Sequence, residues 1–214
     1  MSTPMTADEI ENAGLIAIVR TNRPTDFVAI ARSLAEGGVP ALEITLNTPG
    51  ALEAIAAIRR SADGKLRIGA GTILDADDAR AAIDAGAEFI VTPTLQLDTI
   101  ALCKSESIPI VCGCLSPTES LCAHRAGADF IKVFPAETFG PDYIKAMLAP
   151  LPFLKVVPTG GVTLINLKTW FDAGCRAVAI GSGLVGKQVL ADSDWDDLRT
   201  KAQQFARVLA TIRS

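Results

Sequence analysis

Short apolar runs alternate along the chain with longer stretches whose alanines and other apolar residues recur at helical spacing. The runs predict strands near 14–20, 41–46, 67–71, 88–92, 108–113, 129–134, 154–159 and 177–181. The stretches between them predict helices near 24–37, 49–61, 75–86, 96–107, 116–127, 139–149 and 163–174, with a C-terminal helix near 194–212. Four helix ends look alike: Glu36-Gly37-Gly38-Val39, Asp84-Ala85-Gly86-Ala87, Arg125-Ala126-Gly127-Ala128 and Asp172-Ala173-Gly174-Cys175. Each is followed within a few residues by a short apolar run, so the recurring unit is helix, glycine stop, strand. Thr48-Pro49, Asp75 and Ser116-Pro117 read as helix starts. Short strands alternating with helices argue a parallel sheet. Eight such units with no linker point to one domain over residues 1–214, a (β/α)₈ TIM barrel. The rival is an open doubly wound sheet. Its only support, Gly69-Ala70-Gly71-Thr72, lacks the third glycine of a dinucleotide loop.

Composition narrows the chemistry. Twenty Lys and Arg against 24 Asp and Glu give a net charge of −4, with no basic block. Nucleic acid and membrane surfaces are therefore not expected partners. A single histidine, His124, excludes a zinc site built on several imidazoles, and neither a metal nor a cofactor is expected. The five cysteines lack C-x-x-C spacing and read as buried apolar residues of a reducing cytosol. No signal-peptide pattern or long apolar span appears, so the expected location is cytoplasmic.

Barrel enzymes place their chemistry at the C-terminal ends of the strands. Those ends carry Arg20, Glu43, Thr45, Thr72, Thr92, Lys132, Thr159 and Ser182. Strand alternation puts Glu43 and Thr45 on one face of their strand, and Phe130, Lys132 and Phe134 on one face of theirs. Lys132 interrupts an apolar strand, and burying an ammonium is costly. A lysine so placed is either a nucleophile able to form a Schiff base or half of a buried ion pair with Glu43. Glu43 is correspondingly a general acid/base or a counter-charge. Arg20 could fork onto a carboxylate or cap strand one at the surface. Lys155 precedes its strand and should face the far end of the barrel. Gly160-Gly161 and Gly181-Ser182-Gly183 follow strands seven and eight, where glycine turns cradle phosphate in such barrels, although plain tight turns would also use glycine. His124, near a helix C-terminus, reads as a complement to the helix dipole. Cys112 and Cys114 share a strand face without further metal ligands. Trp195, Leu198, Phe205, Val208, Leu209 and Ile212 make a packing stripe, in part a candidate subunit contact.

The segments Ile16-Ala17-Ile18-Val19-Arg20, Leu42-Glu43-Ile44-Thr45-Leu46, Ile68-Gly69-Ala70-Gly71-Thr72, Ile90-Val91-Thr92-Pro93, Ile131-Lys132-Val133-Phe134-Pro135-Ala136-Glu137, Val157-Pro158-Thr159-Gly160-Gly161-Val162 and Ile180-Gly181-Ser182-Gly183-Leu184-Val185 occur in this order. Together they resemble the 2-keto-3-deoxy-6-phosphogluconate (KDPG) / 4-hydroxy-2-oxoglutarate class I aldolases. The resemblance implies a metal-independent homotrimer of (β/α)₈ barrels. It implies a lyase of the Entner–Doudoroff kind, cleaving a phosphorylated keto-deoxy sugar acid into pyruvate and glyceraldehyde 3-phosphate. It assigns Lys132 to the imine and Glu43 to acid/base work. Thr72 and Thr159 match hydroxyls lining the pyruvate pocket, and Gly160, Gly161, Gly181 and Ser182 match the phosphate site. Asn47 stands where some members carry a carboxylate-binding arginine, which leaves that role to Arg20. Thr45 favours the gluconate substrate, whereas Asn47 and Phe139-Gly140-Pro141 are shared with relatives that cleave the 6-phosphogalactonate epimer. A phosphosugar isomerase or epimerase using Glu43 as base, and a non-catalytic phosphate-binding barrel, are the competing readings.

Overall fold

The computed structural model describes residues 5–61 and 66–214. Eight strands run parallel: β1 (Leu15–Val19), β2 (Ala41–Thr45), β3 (Arg67–Gly71), β4 (Ile90–Val91), β5 (Ile110–Gly113), β6 (Phe130–Val133), β7 (Val156–Pro158) and β8 (Val178–Ile180). Each pairs with its sequence neighbour, and β8 returns to pair with β1. A single bridge between Thr159 and Ala179 joins β7 to β8, so the sheet closes as a barrel rather than lying open. The helices are α1 (Ala7–Ala13), α2 (Phe27–Glu36), α3 (Ala51–Ser61), α4 (Ala76–Asp84), α5 (Leu97–Ser105), α6 (Pro117–Ala126), α7 (Ala136–Leu148), α8 (Leu167–Asp172), α9 (Lys187–Asp192) and α10 (Trp195–Arg213).

The repeated helix end has one geometry. The N–H groups of Val39, Ala87, Ala128 and Cys175 each donate to the carbonyl five residues back, on Leu34, Ala82, Ala123 and Trp170, at 2.9–3.3 Å. The glycine before each, Gly38, Gly86, Gly127 or Gly174, has φ between 81° and 104°. This is the Schellman stop, and it turns the chain back towards the next strand each time. Ser116 caps α6 and Asp75 caps α4 as expected. Thr48 does not cap α3. Its Oγ1 accepts the Thr21 N–H at 3.3 Å and meets Thr45 Oγ1 at 3.2 Å, tying the ends of β1 and β2 together.

Alternation divides the core in two. Ile16, Ile18, Ala41, Phe89, Val91, Val111, Phe130, Val157, Ala177 and Ala179 fill the barrel interior. Leu15, Leu42, Ile44, Ile68, Ile131 and Val133 face the helices. In β3 the inward positions Gly69 and Gly71 leave space for larger neighbours. A Cβ on Gly69 would come within 2.4 Å of the Phe89 ring. The Gly-Ala-Gly run is thus a packing device of the inner face and forms no nucleotide loop.

Three helices depart from the sequence expectation. α1 closes the barrel floor, with Met5 and Ile10 completing the interior cluster. Its acids pair with basic residues at the strand starts: Glu9 with Arg67 at 2.8 Å and Glu11 with Lys155 at 2.7 Å. Lys155 therefore faces the far end, as its position predicts. α9 is only six residues long. α7 starts earlier than predicted and breaks at Gly140, which has non-helical φ 73° and ψ 174° before Pro141. The stripe on α10 is used within the chain: the helix packs on α2 and α8 and buries Leu198, Phe205 and Leu209. No helix among the described residues is long and apolar enough to cross a membrane.

Candidate active site

Lys132 and Glu43 both point into the barrel, in phase with Phe130 and Ala41 of the interior cluster. Lys132 is 6% exposed and Glu43 1%. Gly71 makes the room for Glu43, because a Cβ there would lie 1.8 Å from Glu43 Oε1. Among the described residues, neither carboxylate oxygen of Glu43 has a hydrogen-bond partner, and no salt bridge joins it to Lys132. The lysine Nζ instead lies 5.7 Å from the centroid of the Phe134 ring. The structural ion pair is therefore not made, although the groups sense each other through space. Burial pushes the Glu43 carboxyl above its ordinary range, and the nearby positive charges of Lys132 and then Arg20 only partly offset it. An unpaired buried polar group costs about 1–3 kcal/mol, and more when charged, so this arrangement does not serve stability. It leaves a lysine and a carboxyl inside the barrel without a direct bond between them.

A cavity of about 450 Å³ is walled by Ile18, Arg20, Phe134, Glu137, Thr159, Gly160, Gly161, Gly181, Ser182 and Lys187, among others. Neither Lys132 nor Glu43 lines it, and the Phe134 ring, near Lys132 Nζ, links the lysine to its wall. The predicted Arg20, Thr159 and both glycine turns are thus brought together. Thr159 is buried at the rim and its Oγ1 has no partner. Arg20 is exposed at the mouth, where it also borders a neighbouring cavity with Arg23 and Asn47. Thr72 does not line this cavity. It ends β3 with φ 57°, an uncommon conformation for a β-branched residue and a local store of strain.

Other strand-end polar groups are ties. Thr45 Oγ1 is fully buried and donates to Val19 O at 3.4 Å. Thr92 points to the helix side, where its Oγ1 accepts the Gly113 N–H at 3.0 Å and donates to Thr94 O at 2.7 Å. Cys112 lies there too, receiving a 3.6 Å contact from Thr92 Oγ1. The Cys112 thiol is held below its ordinary range by neighbouring Cys114, the Gln96 backbone and Thr92, against the effect of burial. Four cysteines are buried as predicted, while Cys122 is exposed on α6. His124 sits in the last turn of α6 with its ring against Phe153, centroids 4.7 Å apart. Among the described residues no cluster of three or more His, Cys, Asp or Glu side chains could hold a metal ion.

Two lining residues carry charge that the sequence reading did not single out. Glu137 belongs to the Phe-Pro-Ala-Glu run but had no assigned role. Its side chain lies against the glycine turn, with Cβ 2.4 Å from where a Cβ on Gly161 would be. Lys187 opens α9, a helix too short to leave a periodic signal.

The family model for KDPG and KHG aldolase matches residues 7–201. A 2-dehydro-3-deoxy-6-phosphogalactonate aldolase of Escherichia coli K12 is 39% identical over 171 residues, covering 79% of this chain and 83% of the relative. A 2-dehydro-3-deoxy-phosphogluconate aldolase of Treponema pallidum is 36% identical, covering 96% and 98%. A KDPG aldolase of Legionella pneumophila, solved with pyruvate captured as a covalent carbinolamine, superposes with a TM-score of 0.86 at 25% identity, over 93% of this chain and 97% of that one.

Proposed function

Because the chain belongs to the KDPG and KHG aldolase family of carbon–carbon lyases, we propose that it cleaves 2-keto-3-deoxy-6-phosphogluconate through a Schiff base on Lys132. The observation that carries this reading is the buried Lys132 beside an unpartnered Glu43. Lys132 Nζ adds to the C2 carbonyl, and loss of water gives an iminium ion. A base removes the C4 hydroxyl proton, the C3–C4 bond breaks, and its electron pair moves into the iminium. Glyceraldehyde 3-phosphate leaves, and the enamine takes a proton at C3 before water frees pyruvate. Burial raises the proton affinity of Glu43, which suits it to accept and return these protons. Thr159 offers a hydroxyl to the pyruvate end and Arg20 a fork to its carboxylate. Thr72 has a pyruvate-pocket role by resemblance alone, since it ends β3 outside the lining of the cavity.

Trapping tests the chemistry. Borohydride with pyruvate should reduce the imine to one stable 1-carboxyethyl amine per chain, located on Lys132. Absence of the adduct would overturn the Schiff base. The gluconate epimer is favoured by Thr45, by resemblance, and by a phosphogluconate relative that aligns over 96% of the chain, whereas the phosphogalactonate relative aligns over 79% but at the higher identity, 39% against 36%. Thr45, which favours the gluconate epimer by resemblance, is bonded to the β1 backbone and is not among the cavity-lining residues. Comparing kcat/KM on the two epimers decides between them. Exposed Leu74, Leu97, Leu115 and Phe139 follow four successive strands on the active-site face. They supply an apolar contact surface for the homotrimer that the resemblance implies, and light scattering would then read three times the 22.4 kDa chain.

The phosphate end has its own test. Gly161 is poorly suited to it, because φ is 69° and a side chain would strike Glu137. Gly181 lines the same cavity, and a Cβ there meets nothing within 4 Å. Gly181→Ala should therefore fold normally and raise KM for the phosphorylated substrate about tenfold, the scale of one lost charged hydrogen bond. An equal loss on a non-phosphorylated 4-hydroxy-2-keto acid would remove the phosphate from this pocket.

A further inference from the structure

The phosphate cavity has an unusual charge distribution for a pocket meant to hold a dianion. Its glycine turn at Gly160–Gly161 is overlaid by the carboxylate side chain of Glu137, with Oε2 2.2 Å from where a Cβ on Gly160 would stand. A phosphate seated on that turn meets a like charge at close range, which is unfavourable. Only two cations line the cavity among the described residues, Arg20 and Lys187. Arg20 acts on Glu43 through space, so its charge reaches the reacting end, where a substrate carboxylate also needs a partner. That leaves Lys187. It lies on the wall formed by the start of α9, borders both this cavity and the neighbouring one, and is exposed. No salt bridge to Lys187 occurs among the described residues, so its charge is not already neutralised.

We propose that Lys187 is the binding residue that supplies positive charge to the substrate's phosphate, acting against Glu137 on the glycine turn. This rests on the aldolase reading and adds to it a residue on the short helix after β8. The division of labour then runs Arg20 to the carboxylate, Lys187 to the phosphate, with the backbone turns between them. Because the two side chains carry opposite charges beside one anion, their removal should have opposite effects. A residue that merely held α9 in place would not show this sign reversal.

The experiment compares Lys187→Gln, Lys187→Arg and Glu137→Gln, using inorganic phosphate as a competitive inhibitor and kcat/KM on phosphorylated and non-phosphorylated substrates. Lys187→Gln should weaken phosphate inhibition about tenfold and lower the phosphorylated-to-non-phosphorylated kcat/KM ratio by a similar factor. Lys187→Arg should restore most of both. Glu137→Gln should strengthen phosphate inhibition several-fold. An unchanged ratio in Lys187→Gln, or weaker phosphate inhibition in Glu137→Gln, overturns the assignment. Borohydride trapping of pyruvate on the same variants keeps the outcome separate from the chemistry. A variant that still traps pyruvate but keeps its phosphate preference refutes the Lys187 role alone, whereas failure of the wild-type protein to trap refutes the aldolase mechanism.

Discussion

Replacing Lys132 with arginine or methionine is expected to abolish cleavage, by roughly 10⁴-fold or more, the scale seen when a covalent nucleophile is removed. The arginine variant keeps the positive charge that acts on Glu43, but a guanidinium does not form the imine. The methionine variant keeps the length of the side chain and removes the charge. Folding should survive both changes. Lys132 has no salt bridge among the described residues, and its near neighbour Phe134 is partly exposed and can yield to the larger guanidinium. Loss of a buried ammonium without a direct counter-ion should leave the methionine variant at least as stable as the parent. Cleavage rates and borohydride adduct mass are the measurements. Cleavage within tenfold of wild type in either variant would sink the imine, whatever the family.

The barrel was legible because its repeat is a backbone device written in the sequence. The glycine at each helix end and the apolar residue after it form the same pair of Schellman bonds four times. The period-two alternation of strand side chains then fixes which positions face inward, and it sets Glu43 and Lys132 inside the barrel. The elements missed are those with little periodicity. α1 has seven residues, one of them buried, yet its Thr6-x-x-Glu9 capping box was a readable start signal, with both hydrogen bonds present. α9 has six residues and no side-chain cap, and nothing local marks it. The break at Gly140 was signalled by Gly-Pro, but the helical turn before it depends on packing over the β7 end, where Ala136 N–H donates to Thr159 O at 2.9 Å.

The site was half legible for a similar reason. A lysine inside an apolar strand and glycines after β7 and β8 announce themselves by residue type. Contacts between loops do not. The Glu137 side chain lies on Gly161 across two separate connections, and Gly71 faces Glu43 from the adjacent strand. Strand-end threonines look equivalent in sequence. Only their bonding separates Thr159, whose hydroxyl is unpartnered beside the cavity, from Thr45 and Thr92, which fasten backbone segments.

Glu43→Gln should slow exchange of the pyruvate methyl protons by about 10²–10⁴-fold, the usual range for a positioned acid/base, with a much smaller effect on pyruvate binding. The same substitution should stabilise the protein near neutral pH. Burial raises the folded-state pKa of Glu43 above the ordinary value of 4.5. Below that value the carboxyl is protonated in both the folded and the unfolded chain, and it imposes no charge-burial cost. As pH rises past 4.5 the unfolded chain releases the proton first, so stability falls until pH passes the folded-state pKa. Glutamine keeps the shape and removes the ionisation. The gain in Tm should therefore grow between acidic and neutral pH and be small near pH 4, about where both forms are neutral. A counter-charge role makes the opposite prediction, because deleting the partner of a buried ammonium lowers Tm at neutral pH. Slower exchange together with a higher Tm at neutral pH would mark Glu43 as a group kept for proton transfer at the expense of stability. Unchanged exchange at saturating pyruvate would end its assignment as the acid/base.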